Sequence, residues 1–288
     1  LMKKGFFVCL FLTMFLITLS GCGKTDTASN TSTDPSKINV TVSFQAMKEL
    51  TEAVGKDHVA VQLIVPNGTE PHDFEPTAKN LTALRDSKIF VYNGLGLENS
   101  WLDKVTAASD NKNLVMAEAS KGTTPLMLDD NSNAADPHIW LSIDGAEIEA
   151  KNIKDALISV DAKNKDDYEK NYQDFCSQLN DLKKEYTEKF QQSKRHDFVT
   201  GHAAFGYLSR DFNLQQKSVS DALLSGEPSA KKLKDLTDYC KENNVSTIFV
   251  EDMVSPKVSE TLANEVNAKA VEIYTIESLP DGMDYVSA

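Results

Sequence analysis

Residues 166–192, "DDYEKNYQDFCSQLNDLKKEYTEKFQQ", contain no glycine or proline. Tyr168, Tyr172, Phe175, Leu179, Leu182, Tyr186 and Phe190 recur at intervals of three and four residues, the period of a helix with one apolar stripe. Charged and amide residues fill most of the other positions. At about 1.5 Å per residue the stretch makes a rod of roughly 40 Å, longer than a helix inside one small domain needs. The spacing therefore predicts a rigid helix that joins two lobes.

On its N-terminal side, strand patterns over Ile38–Phe44, Val59–Val65, Lys88–Tyr92 and Leu114–Ala117 alternate with helical patterns over Gln45–Val54 and Thr77–Arg85. Lys88–Tyr92, "KIFVY", is a short continuous apolar run of the kind buried on both faces of a parallel sheet. On its C-terminal side the alternation resumes. Strands are expected at Asp197–Thr200, Ser246–Val250 and Ala270–Thr275, and helices at Ala203–Asp211, Ala230–Glu242 and Pro256–Asn267. Such alternation implies α/β architecture: two lobes, each with a mostly parallel sheet flanked by helices. The second lobe repeats the first in architecture without repeating its sequence.

A length of 288 residues suits two domains. The formal charge of −13 argues against a nucleic-acid partner, which would need clustered Lys and Arg, and suits either cations as partners or a surface that simply stays solvated. Lys3 and Lys4 precede an almost wholly apolar run, Phe6–Leu19, and then Leu19-Ser20-Gly21-Cys22. That order reads as a secretory signal. Its ending resembles the bacterial lipoprotein box, in which the cysteine is lipidated; the alternative is an uncleaved membrane anchor. The expectation is a signal peptide over residues 1–21, a lipid on Cys22 and a Thr/Ser/Asn-rich tether over 22–37. An N-terminal lobe over 38–160, a linking helix over 161–192 and a C-terminal lobe over 193–288 follow. Cys176 and Cys240 read as small apolar groups on helix faces, with a disulfide left open.

Of five histidines, His58 and His196 sit among charged residues and read as exposed and inert. The other three share a position in the expected fold. His72 follows a strand in "VPNGTEPHDFEPT", His138 opens a new element in "ADPHIWL", and His202 follows a strand in "FVTGHAAFGYL". Loops at the carboxyl ends of parallel strands converge on ligand sites. Three imidazoles there suggest a metal site. No HExxH, CxxC or HxHxD motif signals a local or catalytic zinc site, and the spread from His72 to His202 implies a site built by tertiary folding between the lobes. Asp73, Asp136 and Glu227 read as solvated or capping residues, with the alternative that one of them orients an imidazole. Glu251 and Asp252 read as loop and hinge, and Trp140 and Phe205 as core.

"PNGTEPHDFEPTAKNL", "DPHIWL", "GHAAFGYL", "EPSAKKLKDLTDYCKENNVSTIFVED" and "IESL" closely resemble the zinc/manganese-type (cluster A-I) substrate-binding lipoproteins of bacterial ABC metal importers. The likeness runs from about Ile38 to Tyr285. It implies a lipid-anchored, monomeric protein on the extracytoplasmic face that passes metal to a permease. It also implies metal ligands at His72, His138 and His202, with a late carboxylate as the fourth. Glu277 in "YTIESL" matches that position, with Asp281 and Asp284 as substitutes. In this family a histidine at the third position marks zinc-type members and a glutamate many manganese-type ones. His202 therefore points to Zn²⁺ before Mn²⁺, in keeping with imidazole's preference for zinc. Two departures stand out: no His-rich loop precedes His138, and Ser142 replaces the usual Asp after "HIWL".

A zinc hydrolase is the competing class, since three imidazoles can activate water if a fourth position stays open. A carboxylate ligand closes that position. An adhesin would share the anchor, tether and cleft, and only a binding assay against host molecules separates it. Protons compete with metal for imidazole, so affinity is expected to fall below about pH 6.5.

Overall fold

The computed structural model describes residues 36–128, 133–226, 228–251 and 256–288. The leader, Cys22 and most of the tether lie outside them, as do Glu227 and Asp252.

The N-terminal lobe runs β1 (Ile38–Val42), α1 (Gln45–Gly55), β2 (Val59–Leu63), α2 (Ala78–Ala83), β3 (Ile89–Tyr92), α3 (Leu102–Ala108), β4 (Val115–Glu118) and α4 (Ile143–Val160). After it come α5 (Lys165–Gln192), β5 (Asp197–Thr200), α6 (Gly206–Phe212), β6 (Gln215–Ser218), α7 (Ala230–Glu242), β7 (Thr247–Glu251), α8 (Pro256–Glu265) and β8 (Lys269–Ile273). The first sheet has the order β2-β1-β3-β4 and the second β6-β5-β7-β8, with every pairing parallel. The two lobes thus share one topology. In each, the chain turns to opposite sides of its first strand, which creates the switch point where loops part and ligands bind.

Burial follows the sequence pattern. Ile89, Phe90 and Val91 are almost fully buried, as a strand covered on both faces requires. Val40, Val42, Met47, Leu50, Trp101 and Ile153 join them in one core. α5 spans 28 residues and buries Tyr168, Asn171, Phe175 and Leu179. Asn171 Nδ2 donates to Val54 O at 2.9 Å, tying α5 to the end of α1. Further along, Leu182, Tyr186 and Phe190 face Phe198, Phe249 and Ile273 across a groove of about 610 Å³. The opposite face of the second sheet packs Val199 and Ile248 against Leu236, Cys240 and Leu262 from α7 and α8. Cys176 and Cys240 are free thiols.

The sequence reading did not expect α3, and three further features depart from it. α4 is a full helix in which Ala146, Ala150, Ile153 and Leu157 are buried, and Ser142 caps it by accepting from Gly145 N at 3.0 Å. β6 is a strand of sequence QQKS whose polar side chains give no apolar signal. His58 is half-buried and hydrogen-bonded to Asp167 on α5 at 2.9 Å, so it ties the linking helix to the first lobe. His196 is exposed, as expected.

Candidate metal centre

Each candidate ligand sits on a loop beyond the carboxyl end of a strand, and each loop has a local reason for its shape. After β2 the chain turns through Pro66–Gly68, closed by Thr69 N donating to Pro66 O at 3.0 Å. Gly68 takes φ +81°, a left-handed conformation open to glycine without steric cost. Glu70 Oε1 then accepts from His72 N at 2.9 Å, and Phe74 packs edge-on against Trp101. The stiff turn thereby aims the His72 ring inward.

In "ADPH", Asp136 Oδ1 accepts both His138 N at 2.9 Å and His138 Nδ1 at 2.7 Å. Nδ1 therefore carries a proton and Nε2 faces the cleft. Of the carboxylates considered from sequence, Asp136 orients an imidazole, and Glu227 lies outside the described residues. Asp73 is exposed. The Asp136 carbonyl accepts from Tyr207 OH of α6 at 2.7 Å, which fastens this loop to the second lobe.

His202 follows β5 directly. Its N–H donates to Glu251 Oε1 at 3.0 Å, and its carbonyl accepts from Thr200 Oγ1 and Gln216 Nε2. Glu251 is therefore a buried strand residue that fixes the His202 backbone, not a loop residue. His202 Nε2 lies 3.2 Å from Ala222 O, while Nδ1 is buried without a partner among the described residues.

Glu277 follows β8. Ile276 before it has φ +59°, a strained value for a β-branched residue, which costs about 1–3 kcal/mol and persists only where surrounding structure enforces it. Glu277 Oε2 accepts from Thr275 Oγ1 at 2.7 Å. Its other oxygen, Oε1, lies 3.3 Å from His72 Nε2 and 3.5 Å from His138 Nε2.

The structure brings His72, His138 and His202 together with one nitrogen of each inside a 4.8 Å span, and Glu277 joins them. Asp281 is exposed, and Asp284 is exposed and turned to Ser287, so neither takes part. Trp140 and Phe205 are buried, as expected of core residues, and the Trp140 ring lies 5.1 Å from that of His138. His138 and His202 are fully buried.

The electrostatics follow from that burial. Burial lowers the His138 pKa, but the hydrogen bond to Asp136 and the close carboxylates of Asp136 and Glu277 outweigh it and bring the group to about 9. Burial, then the neighbouring His138, drives His202 down to about 4. Glu277 is held well below the usual carboxylate range: burial raises it, and His138 and His72 more than reverse that. Glu70 is pushed up to about 7 by burial and then by the charge of Glu277.

The donor spacings can be tested against a metal. Bonds of about 2.0–2.1 Å in a tetrahedron set donors about 3.3 Å apart. His72 Nε2, His138 Nε2 and Glu277 Oε1 are separated by 3.2, 3.3 and 3.5 Å. The residues present fit a small tetrahedral cation.

Comparison with known proteins agrees with this geometry. Residues 40–288 match the family model described as ZnuA, zinc-uptake complex component A, periplasmic. The chain belongs to this family. A Treponema pallidum protein named for metal binding is 40% identical over 266 residues, covering 88% of this chain and 84% of that protein. The high-affinity zinc uptake system protein ZnuA of Bacillus subtilis is 34% identical over 273 residues, covering 91% and 85%. A crystal structure of a ZnuA deletion mutant with zinc bound superposes with a TM-score of 0.78 at 35% identity, covering 83% of this chain and 91% of that one.

Within this ZnuA-family chain, the sequence reading passed over four residues that shape the site. Glu70 lies in the same turn as His72, and its acidic side chain two residues away was the available signal. Asn67 and Tyr207 act through contacts between distant segments, which no local pattern encodes, whereas Thr275 holds Glu277 from two residues away.

Proposed function

We propose that this protein captures Zn²⁺ outside the cytoplasmic membrane and delivers it to an ABC-type importer, with His72, His138, His202 and Glu277 as the four donors. The observation that carries the reading is the spacing of three donor atoms at 3.2–3.5 Å, near the edge length of a zinc tetrahedron. Three imidazoles and one carboxylate suit Zn²⁺ better than Mn²⁺, which favours oxygen-rich sites. The four donors close the coordination shell and leave no position for an activated water, so the site holds an ion rather than catalysing hydrolysis. Membership of a zinc-uptake family and likeness to a zinc-bound structure support the same reading.

The cleft explains how an ion can be both held and surrendered. His72 and His138 belong to the first lobe, His202 and Glu277 to the second. A relative movement of the lobes would separate the pairs and release the ion to a permease. A lipid on Cys22 and the tether would keep a monomeric protein at the membrane beside that permease.

Competitive metal titration with elemental analysis, on wild type and on His202→Glu, tests the proposal. One tightly held Zn²⁺ in the wild type and weaker zinc binding in the variant are expected. Three protein ligands and a water titrating near about pH 7 would defeat it.

A further inference from the structure

We propose that Glu70, His72 and Glu277 form a second, outer cation position that overlaps the inner one, and that the ion passes through it on arrival and on release. This rests on the reading of the cleft as a Zn²⁺ site. Glu70, His72 and Glu277 offer three donor atoms that all lie within 4.8 Å of one another.

Two unsatisfied oxygens point to a ligand there. Glu70 is held by one oxygen, which accepts from His72 N at 2.9 Å, while its Oε2 is buried with no hydrogen-bond partner among the described residues. Glu277 has a side chain only 1% exposed, and its Oε1 makes ion-pair contacts with His72 and His138 but no directed hydrogen bond. Carboxylate oxygens kept out of water without a donor are costly unless a cation meets them.

The chemistry of the two positions differs. The inner set is three imidazoles and one carboxylate; the outer set is two carboxylates and one imidazole. The outer set is harder and more tolerant of bound water, which suits an ion still shedding its hydration shell. Position in the fold agrees. His138 and His202 are fully buried and the His72 side chain is only 5% exposed, whereas Glu70 is half-buried. His72 and Glu277 are common to both sets, so the positions are alternatives for one ion rather than sites for two. An ion moving inward keeps those two donors and exchanges Glu70 for His138 and His202. It is never stripped of protein ligands on the way.

An outer position of this kind speeds exchange in both directions and leaves equilibrium affinity nearly unchanged. The test measures Zn²⁺ uptake and Zn²⁺ transfer to excess chelator by stopped flow, with affinity from competitive titration. It uses the full chain, wild type, Glu70→Gln and Glu70→Asp. Glu70→Gln keeps the acceptor for His72 N and removes the charge. It is expected to slow uptake and release alike by about tenfold, with a smaller change in the dissociation constant than in either rate. Glu70→Asp is expected to recover part of the rate, which a purely structural role would not predict. Unchanged rates in Glu70→Gln would overturn the proposal. So would a loss of affinity of about tenfold or more with normal uptake, which would make Glu70 an ordinary ligand of a single site. If the wild type itself holds no Zn²⁺, the proposed function fails first, and the absence of any wild-type signal identifies that case.

Discussion

Asn67 and Leu279 stand 212 residues apart and exchange two hydrogen bonds across the cleft: Asn67 Nδ2 donates to Leu279 O at 2.9 Å, and Leu279 N donates to Asn67 Oδ1 at 3.1 Å. One lies in the turn that carries His72 and the other just past Glu277. The amide locks the two ligand loops in register, so two donors from opposite lobes meet without a search.

Asn67→Ala removes both bonds and leaves the buried Leu279 backbone to find water. Because Asn67 itself is exposed, the expected loss of metal-free stability is modest, about 1 kcal/mol. The loss of Zn²⁺ affinity should be larger in proportion, since the variant must order the two loops on binding. Urea unfolding midpoints and competitive titration, taken side by side, measure the two effects. Equal losses in both would mean that the pair only stabilises the fold.

Proton competition is where the structure revises the sequence most. A free imidazole titrates near about 6.5, but His138 is brought to about 9 by Asp136 and Glu277 against the opposing effect of burial. The metal-free site therefore holds a proton at neutral pH that Zn²⁺ must displace. Affinity is expected to rise about tenfold per pH unit from about pH 7 to about pH 9 and then level off. The sign for the metal-free fold is opposite. A raised histidine pKa stabilises the folded state fully below about 6.5, and that contribution is lost as pH rises through about 9. Calorimetry in two buffers of different ionisation enthalpy should find about one proton released per Zn²⁺ at pH 7. Release of none would place His138 in its neutral form before the ion arrives.

Gly206 opens α6 against the carboxylate that orients His138. A Cβ at this position would lie 2.7 Å from Asp136 Oδ2, too close for any real contact. Gly206→Ala should therefore displace Asp136 from His138 Nδ1 and weaken Zn²⁺ binding by roughly 10- to 100-fold, the usual cost of disturbing an orienting carboxylate. The gain in helix propensity, up to about 1 kcal/mol, works toward unchanged fold stability. Asp136→Asn should match the affinity loss without any steric change. If Gly206→Ala binds normally, the inter-lobe approach at Asp136 is loose enough to give way.

The pattern of sequence visible before folding explains which parts were legible. The stripe from Tyr168 to Phe190 repeats at helical spacing, so α5 could be read directly, and "KIFVY" announced a doubly covered strand. His72 and His202 were legible because each follows a strand in a parallel sheet, where topology gathers loops, and His138 because it opens a new element in "ADPHIWL". β6 was not, because QQKS is a strand by virtue of its neighbour β5 and carries no apolar signal of its own. The part played by Glu251 was also hidden. A glutamate at the end of "TIFVE" reads as polar loop until the fold sets its carboxylate under the His202 N–H. Contacts such as Tyr207 to Asp136 join segments 71 residues apart, and nothing local specifies them.

Glu277 makes the strongest demand of all, because it is fully buried and its pKa is still depressed. Burial favours the neutral acid; the imidazoles of His138 and His72 reverse that preference. A depressed carboxylate pKa contributes stability that is present above about 4.3 and is lost as pH falls through the folded value. Glu277→Gln keeps the shape and the acceptor for Thr275 Oγ1 but removes the charge. Zn²⁺ affinity should then fall by at least about 100-fold, since a charged donor becomes a weak neutral one inside a dry site. His138 should lose one of the two partners that raise it, so the pH at which Zn²⁺ affinity levels off should move down from about 9. Titrating the histidines by NMR in the metal-free variant measures that shift directly. An unmoved His138 would mean that Asp136 alone sets its charge and that Glu277 acts only when the ion is present.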